Sequence, residues 1–226
     1  NLGSGPVTPS ASHQVNVSAN ALTVGGVIAG GDISLTKTGE GILVLSGANT
    51  FSGGMILSGG QLHINNGGSS SANSAIGVGP LTIGDNTTID NTSGADVTLL
   101  PNNPQVWNGS FTYAGTSHSL NLGTGNVSLP ATRTVTVNGN TLTVGGVISG
   151  AGGITKAGAG TLVLLGVNTY GNNGAADTAH NGGTLVLGND QALGSSRLNF
   201  GDGAIIQSVD SSARVITNSL NFGSGA

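Results

Sequence analysis

The sequence has 226 residues, 42 of them glycine, with 6% charged and 3% aromatic side chains, no cysteine and a formal net charge of −4. Globular enzymes carry about a quarter charged residues, so this surface is built from Ser, Thr, Asn and Gly. The scattered Arg133, Arg197 and Arg214 exclude a basic patch for nucleic acid, and no apolar run approaches the roughly 18 residues of a membrane span. The apolar residues, 36% of the chain, are mostly Val, Leu and Ile in short alternating runs. That is β composition without aromatic bulk, and its periodicity and low net charge argue against disorder.

In chain order, Asn1-Leu-Gly-Ser-Gly-Pro-Val7 returns 120 positions later as Asn121-Leu-Gly-Thr-Gly-Asn-Val127, and Leu22-Thr-Val-Gly-Gly-Val-Ile28 returns at the same offset as Leu142–Ile148. The stretch Lys37–Phe51 returns 119 positions later as Lys156–Tyr170. The shared pattern is K-x-G-x-G-x-L-V-L-x-G-x-N-T-[FY]. It reads as turn, strand, turn. Leu43 and Leu45 point to one side of the strand and Val44 to the other, as do Leu162 and Leu164 against Val163. Gly39, Gly41 and Gly47, matched by Gly158, Gly160 and Gly166, bracket the strand where the backbone bends. Asn49, Thr50 and Phe51, matched by Asn168, Thr169 and Tyr170, close it.

A shorter period lies inside this one. Strand centres near Val24, Val44, Ile64 and Ile83 are spaced by 20, 20 and 19 residues, the mark of a solenoid. Frequent Gly and β-branched residues disfavour helices, and an antiparallel sandwich does not call for a 20-residue repeat. The expected fold is all-β, a right-handed parallel β-helix. One solenoid spans residues 1–226 as two tandem units, 1–120 and an incomplete 121–226. Roughly ten coils at about 4.8 Å would make a rod on the order of 50 Å long.

The Lys37 and Lys156 pattern resembles the autotransporter-associated β-strand repeat of type V secreted passenger regions. Ser52-Gly-Gly-Met-Ile-Leu-Ser-Gly-Gly-Gln-Leu62 continues the resemblance. The second copy departs at Gly171–Asn181 before Gly182-Gly-Thr-Leu185 resumes, so that segment reads as a bulged-out loop. The resemblance implies a parallel β-helix, export to the bacterial outer surface, and a role in adhesion or in passenger folding during export.

Comparing the two copies tests for chemistry. None of His13, His63, His118 and His180 has a counterpart, with His180 falling in the insertion, so all four read as surface or turn residues. Asp85 and Asp202 correspond but sit beside glycine in turns; Asp90 and Glu40 have no acidic counterpart. No catalytic residue, cofactor or metal is expected. Lys37 and Lys156 read as solvated lysines at coil corners. Asn49, Asn168, Asn65 and Asn66 read as left-handed turn residues or as amide ladders. Trp107, Phe111 and Tyr113 share one parity and either pack inside the coil or offer rings to sugars. Thr132, Thr134, Thr136, Thr141 and Thr143 suggest an ice-binding array, but the first copy lacks it.

The expected function is a non-enzymatic, extracellular bacterial surface module: a passenger-like stalk or head-to-tail fibre whose partners are neighbouring copies end to end. A glycan-binding adhesin, using Trp107 or the 171–181 loop, is the alternative class, and a polysaccharide-degrading enzyme a third. With Asn1 in place of Met and no signal peptide, the sequence is expected to be a piece of something longer.

Overall fold

A strand whose alternate residues are apolar buries one face when its sheet packs against another, and short glycine-rich turns let each coil supply strands to more than one sheet around a shared interior. The computed structural model describes residues 1–171 and 176–223. They form 23 short strands in three parallel sheets of seven, ten and six strands, a β-solenoid of about nine turns. Among the described residues there is no helix.

Inward residues stack in register. Leu22, Leu43, Leu62, Ile89, Tyr113 and Val137 make one column, and Leu142, Leu162, Leu185 and Ile206 another. Each buried aliphatic side chain contributes about 1.5–3 kcal/mol, so the core is a line of ladders rather than a globule. Coil length is less regular than the sequence spacing indicates: the register step is 19 residues from Ile42 to Gln61 and 27 from Gln61 to Thr88. The longer coils carry the turn segments 65–80 and 91–104, where no named strand exceeds two residues.

Two features depart from the sequence reading. The segment taken for a bulged loop is partly strand: Asp177–His180 pairs in parallel with Ile154–Ala157 on one side and Arg197–Phe200 on the other. Its alternation explains this, since Thr178 and His180 point inward and are buried. Residues 172–175 of that segment lie outside the described residues.

The two copies also occupy different faces. The strand Ser34–Thr38, which carries Lys37, lies in the seven-stranded sheet, but its counterpart Ile154–Ala157 lies in the ten-stranded one. Likewise Ile42–Leu45 lies in the ten-stranded sheet and Thr161–Leu164 in the six-stranded one. The long repeat is therefore not a whole number of turns; the second copy is rotated by one face.

Candidate functional site

The only polar residues the two motif copies keep inside the solenoid are a lysine and an asparagine. Alternation turns Lys37 inward two residues after Leu35, and Gly39, at φ +77°, bends the chain back over it. The Lys37 Nζ donates to the carbonyls of Thr38 at 2.9 Å and Gly39 at 2.7 Å, and to Gly59 of the next coil at 3.1 Å. Lys156 does the same with Ala157 at 2.9 Å, Gly158 at 2.8 Å and Gly182 at 2.9 Å. An ammonium has three donors and no acceptor, so each has its full set of partners, all of them backbone. Both residues are 0% exposed. This corrects the expectation of solvated corner lysines: the strand alternation that buries Leu35 also buries Lys37.

Asn49 and Asn168 are buried too, and neither sits in the left-handed region. The Asn49 Oδ1 accepts the Ile28 N–H of the coil before at 2.7 Å, and its Nδ2 donates to the Ala75 carbonyl of the coil after at 2.6 Å. Asn168 repeats this with Ile148 at 2.8 Å and Ala192 at 2.7 Å. Each amide thus ties three coils together through side-chain bonds to the backbone of the coil before and the coil after. Neither the turn reading nor the amide ladder describes them. Asn65 instead bonds Thr92 and Asn66 bonds Ser46.

The rest of the motif clears the space for these contacts. Leu43, Leu45, Leu162 and Leu164 fill the core, and Phe51 and Tyr170 are buried beyond them. The Tyr170 hydroxyl is 3.0 Å from Thr178 Oγ1, itself 2.7 Å from Ser196 Oγ, which donates to Leu193. Thr50 and Thr169 face solvent, while their N–H groups bond to Ile28 and Ile148 of the preceding coils.

Trp107, Phe111 and Tyr113 belong to two strands, Gln105–Trp107 and Phe111–Tyr113, on different sheets. All three point inward and are at most 2% exposed. Trp107 meets Phe111 edge-on at 5.2 Å and donates to Gln105 Oε1 at 3.1 Å, and the Tyr113 hydroxyl donates to the His118 carbonyl. Of the two readings of these rings, packing inside the coil is the one their burial matches, and enclosed rings present no face to a sugar. His180, read as a surface residue, is also wholly buried. Only the register reveals its place: it pairs with Lys156 as Leu57 pairs with Lys37. Among the described residues no group of three or more His, Asp or Glu is arranged to hold a metal.

Burial pulls Lys156 down to about 8, and lowers Lys37 against the opposing charge of Glu40. Burial also pushes Tyr170 up to about 12 and Tyr113 further up, with Asp90 and Asp96 adding to the latter. Between about pH 8 and 10 the folded chain therefore holds fewer protons than the unfolded one, and stability rises with pH. Above about 10 the sign reverses, because the unfolded tyrosines ionise while the buried ones do not. Urea midpoints measured across this range are expected to peak near pH 10; a monotonic fall from pH 7 would contradict it.

The family described as Passenger-associated-transport-repeat matches residues 35–64 and 154–187, the two segments that hold Lys37 with Asn49 and Lys156 with Asn168. The Adhesin BmaC autotransporter of Brucella suis biovar 1 (strain 1330) is 32% identical over 151 residues. That match covers 65% of this chain, which spans only 4% of the length of the relative. No solved structure matches the chain.

Proposed function

We propose that the chain, two segments of which match the passenger-associated-transport-repeat family, is a load-bearing segment of an exported surface stalk, without enzymatic activity. The observation that carries this reading is the use made of the polar residues the copies share. Lys37, Lys156, Asn49 and Asn168 all bond to backbone of neighbouring coils, which leaves them no role in a reaction. Rotation of the second copy by one face favours a stalk as well, since it distributes the motif around the axis.

The axial ends support stacking into a fibre. A cavity of about 270 Å³ lined by Leu2, Val7, Val15, Leu22, Val24 and Leu35 opens at one end. At the other, Phe222 lies on Phe200 at 5.1 Å and is 67% exposed, beside Leu220. Apolar end coils with unpaired strand edges are covered by continuation of the same stack, whether by the same chain or by another copy. Electron microscopy of the purified chain at rising concentration tests assembly between copies. End-to-end filaments are expected; single rods on the order of 45 Å at every concentration, by the coil spacing, would leave continuation along one polypeptide as the source of length.

Adhesion is the second reading, favoured by the name of the relative. Its surface would be the outward rows of hydroxyls, such as Thr88, Thr112 and Thr136 in register on consecutive coils. Glycan-array binding lost on Thr112→Val would support it.

A further inference from the structure

We propose that His180 makes the strand Asp177–His180 an acid-sensitive latch on the C-terminal coils. The argument begins with the two copies. Where Leu57 sits in register with Lys37, His180 sits in register with Lys156, so the second copy places a titratable ring at a wholly buried position. The ring Nε2 lies 2.8 Å from the Ile205 carbonyl. A carbonyl only accepts, so Nε2 carries the hydrogen and Nδ1 presents a bare lone pair. Nδ1 has no hydrogen-bond partner among the described residues. The neutral ring is thus satisfied as it stands.

Protonation has to occur at Nδ1. It would create a buried N–H with no acceptor and a second positive charge beside the Lys156 ammonium. No carboxylate relieves this. The neighbouring strand on one side contributes Lys156, the strand on the other contributes Phe200, and the third face contributes the Ile205 carbonyl. Tyr170 and Thr178, the nearby hydroxyls, are neutral and bonded to each other. Asp177 and Arg197 lie on the outward face and pair together at 3.2 Å. Burial and the Lys156 charge both hold the His180 ring below its ordinary range, against the Ile205 hydrogen bond.

The ring therefore takes its proton only when the strand opens. Below about pH 6.5 the unfolded ring is charged and the folded one is not, so opening gains roughly tenfold per pH unit. Opening releases two ties at once: Lys156 to Gly182, which joins the coil of residues 177–187 to the coil before it, and His180 to Ile205, which joins it to the coil after. The latch does not depend on whether rods form fibres.

Hydrogen exchange of the intact chain, compared at about pH 7.5 and 5 after correction for intrinsic rates, tests it. Opening of residues 177–208 is expected to rise roughly tenfold or more in acid, while the histidine-free strands at 133–144 hold. His180→Leu, which installs the first copy's residue, is expected to abolish the difference. An equal response in both segments, or an acid response retained in His180→Leu, overturns the proposal. Should that variant not fold, NMR titration of wild-type His180 decides: a pKa near 6.5 with strands 177–187 still protected also overturns it.

Discussion

Gly146→Ala is expected to destabilise the solenoid by on the order of 3 kcal/mol, with Gly31→Ala changing it by less than about 0.5 kcal/mol. A methyl group on Gly146 would lie 1.9 Å from the Gly125 carbonyl oxygen of the coil beneath, whereas one on Gly31 meets nothing within 4 Å. Neither glycine has positive φ, so backbone preference cancels and only the collision differs. The collision recurs up the stack: Gly166 would strike Gly146 at 2.2 Å, and in the first copy Gly47 would strike Gly26 at 2.2 Å. These oxygens are backbone and cannot rotate away. Relief requires the coils to part, which breaks the ladder on either side. Because a solenoid unfolds by neighbouring coils rather than all at once, the loss should be read by amide exchange around residues 125–166 as well as by urea midpoint. Equal midpoints for the two variants would mean the coils do not approach this closely.

Asn168→Ala is the second large effect, on the order of 3 kcal/mol. The substitution removes the acceptor for Ile148 N–H and the donor to the Ala192 carbonyl, both buried. A buried polar group left without its partner costs about 1–3 kcal/mol, and here two are left. Thr169→Ala, one residue on, alters an exposed side chain and is expected to change little. Asn49→Ala should match Asn168→Ala, since its partners Ile28 and Ala75 are equivalent. The two losses should add, because the sites share no partner. A change below about 0.5 kcal/mol in Asn168→Ala would show that water replaces the amide and that the tie carries no load.

The fold was legible because its signal is repeated. Alternating Leu43 and Leu45 between glycines, recurring as Leu162 and Leu164, fixes strand, turn and parallel stacking together. What single-strand reasoning missed was where polar residues end up. Lysine is almost never fully buried unless paired, and nothing in Lys37-Thr-Gly-Glu marks the three carbonyls that receive it. Those carbonyls converge only after Gly39 turns and the coil bearing Gly59 stacks above. His180 was hidden for a related reason: the copies differ in length after Tyr170, so its equivalence to Leu57 exists in the register of the sheets and not in the sequence offset. Trp107 and Tyr113 share a parity and point inward, a choice of face that alternation alone does not make.

Lysine labelling tests the central claim most directly, that the shared polar residues are internal ties between coils. The chain contains two lysines, Lys37 and Lys156, both buried in carbonyl cages. An amine-acylating reagent at about pH 8, read by mass spectrometry, should modify the α-amine of Asn1 quickly and leave both lysines untouched until urea unfolds the coils. The reference for each lysine is its own rate in the urea-unfolded chain at the same pH, because an exposed ammonium titrates near its ordinary value of about 10.4 and acylates more slowly than an α-amine. Labelling of Lys37 and Lys156 in the folded chain at the rate seen in the urea-unfolded chain would contradict the account.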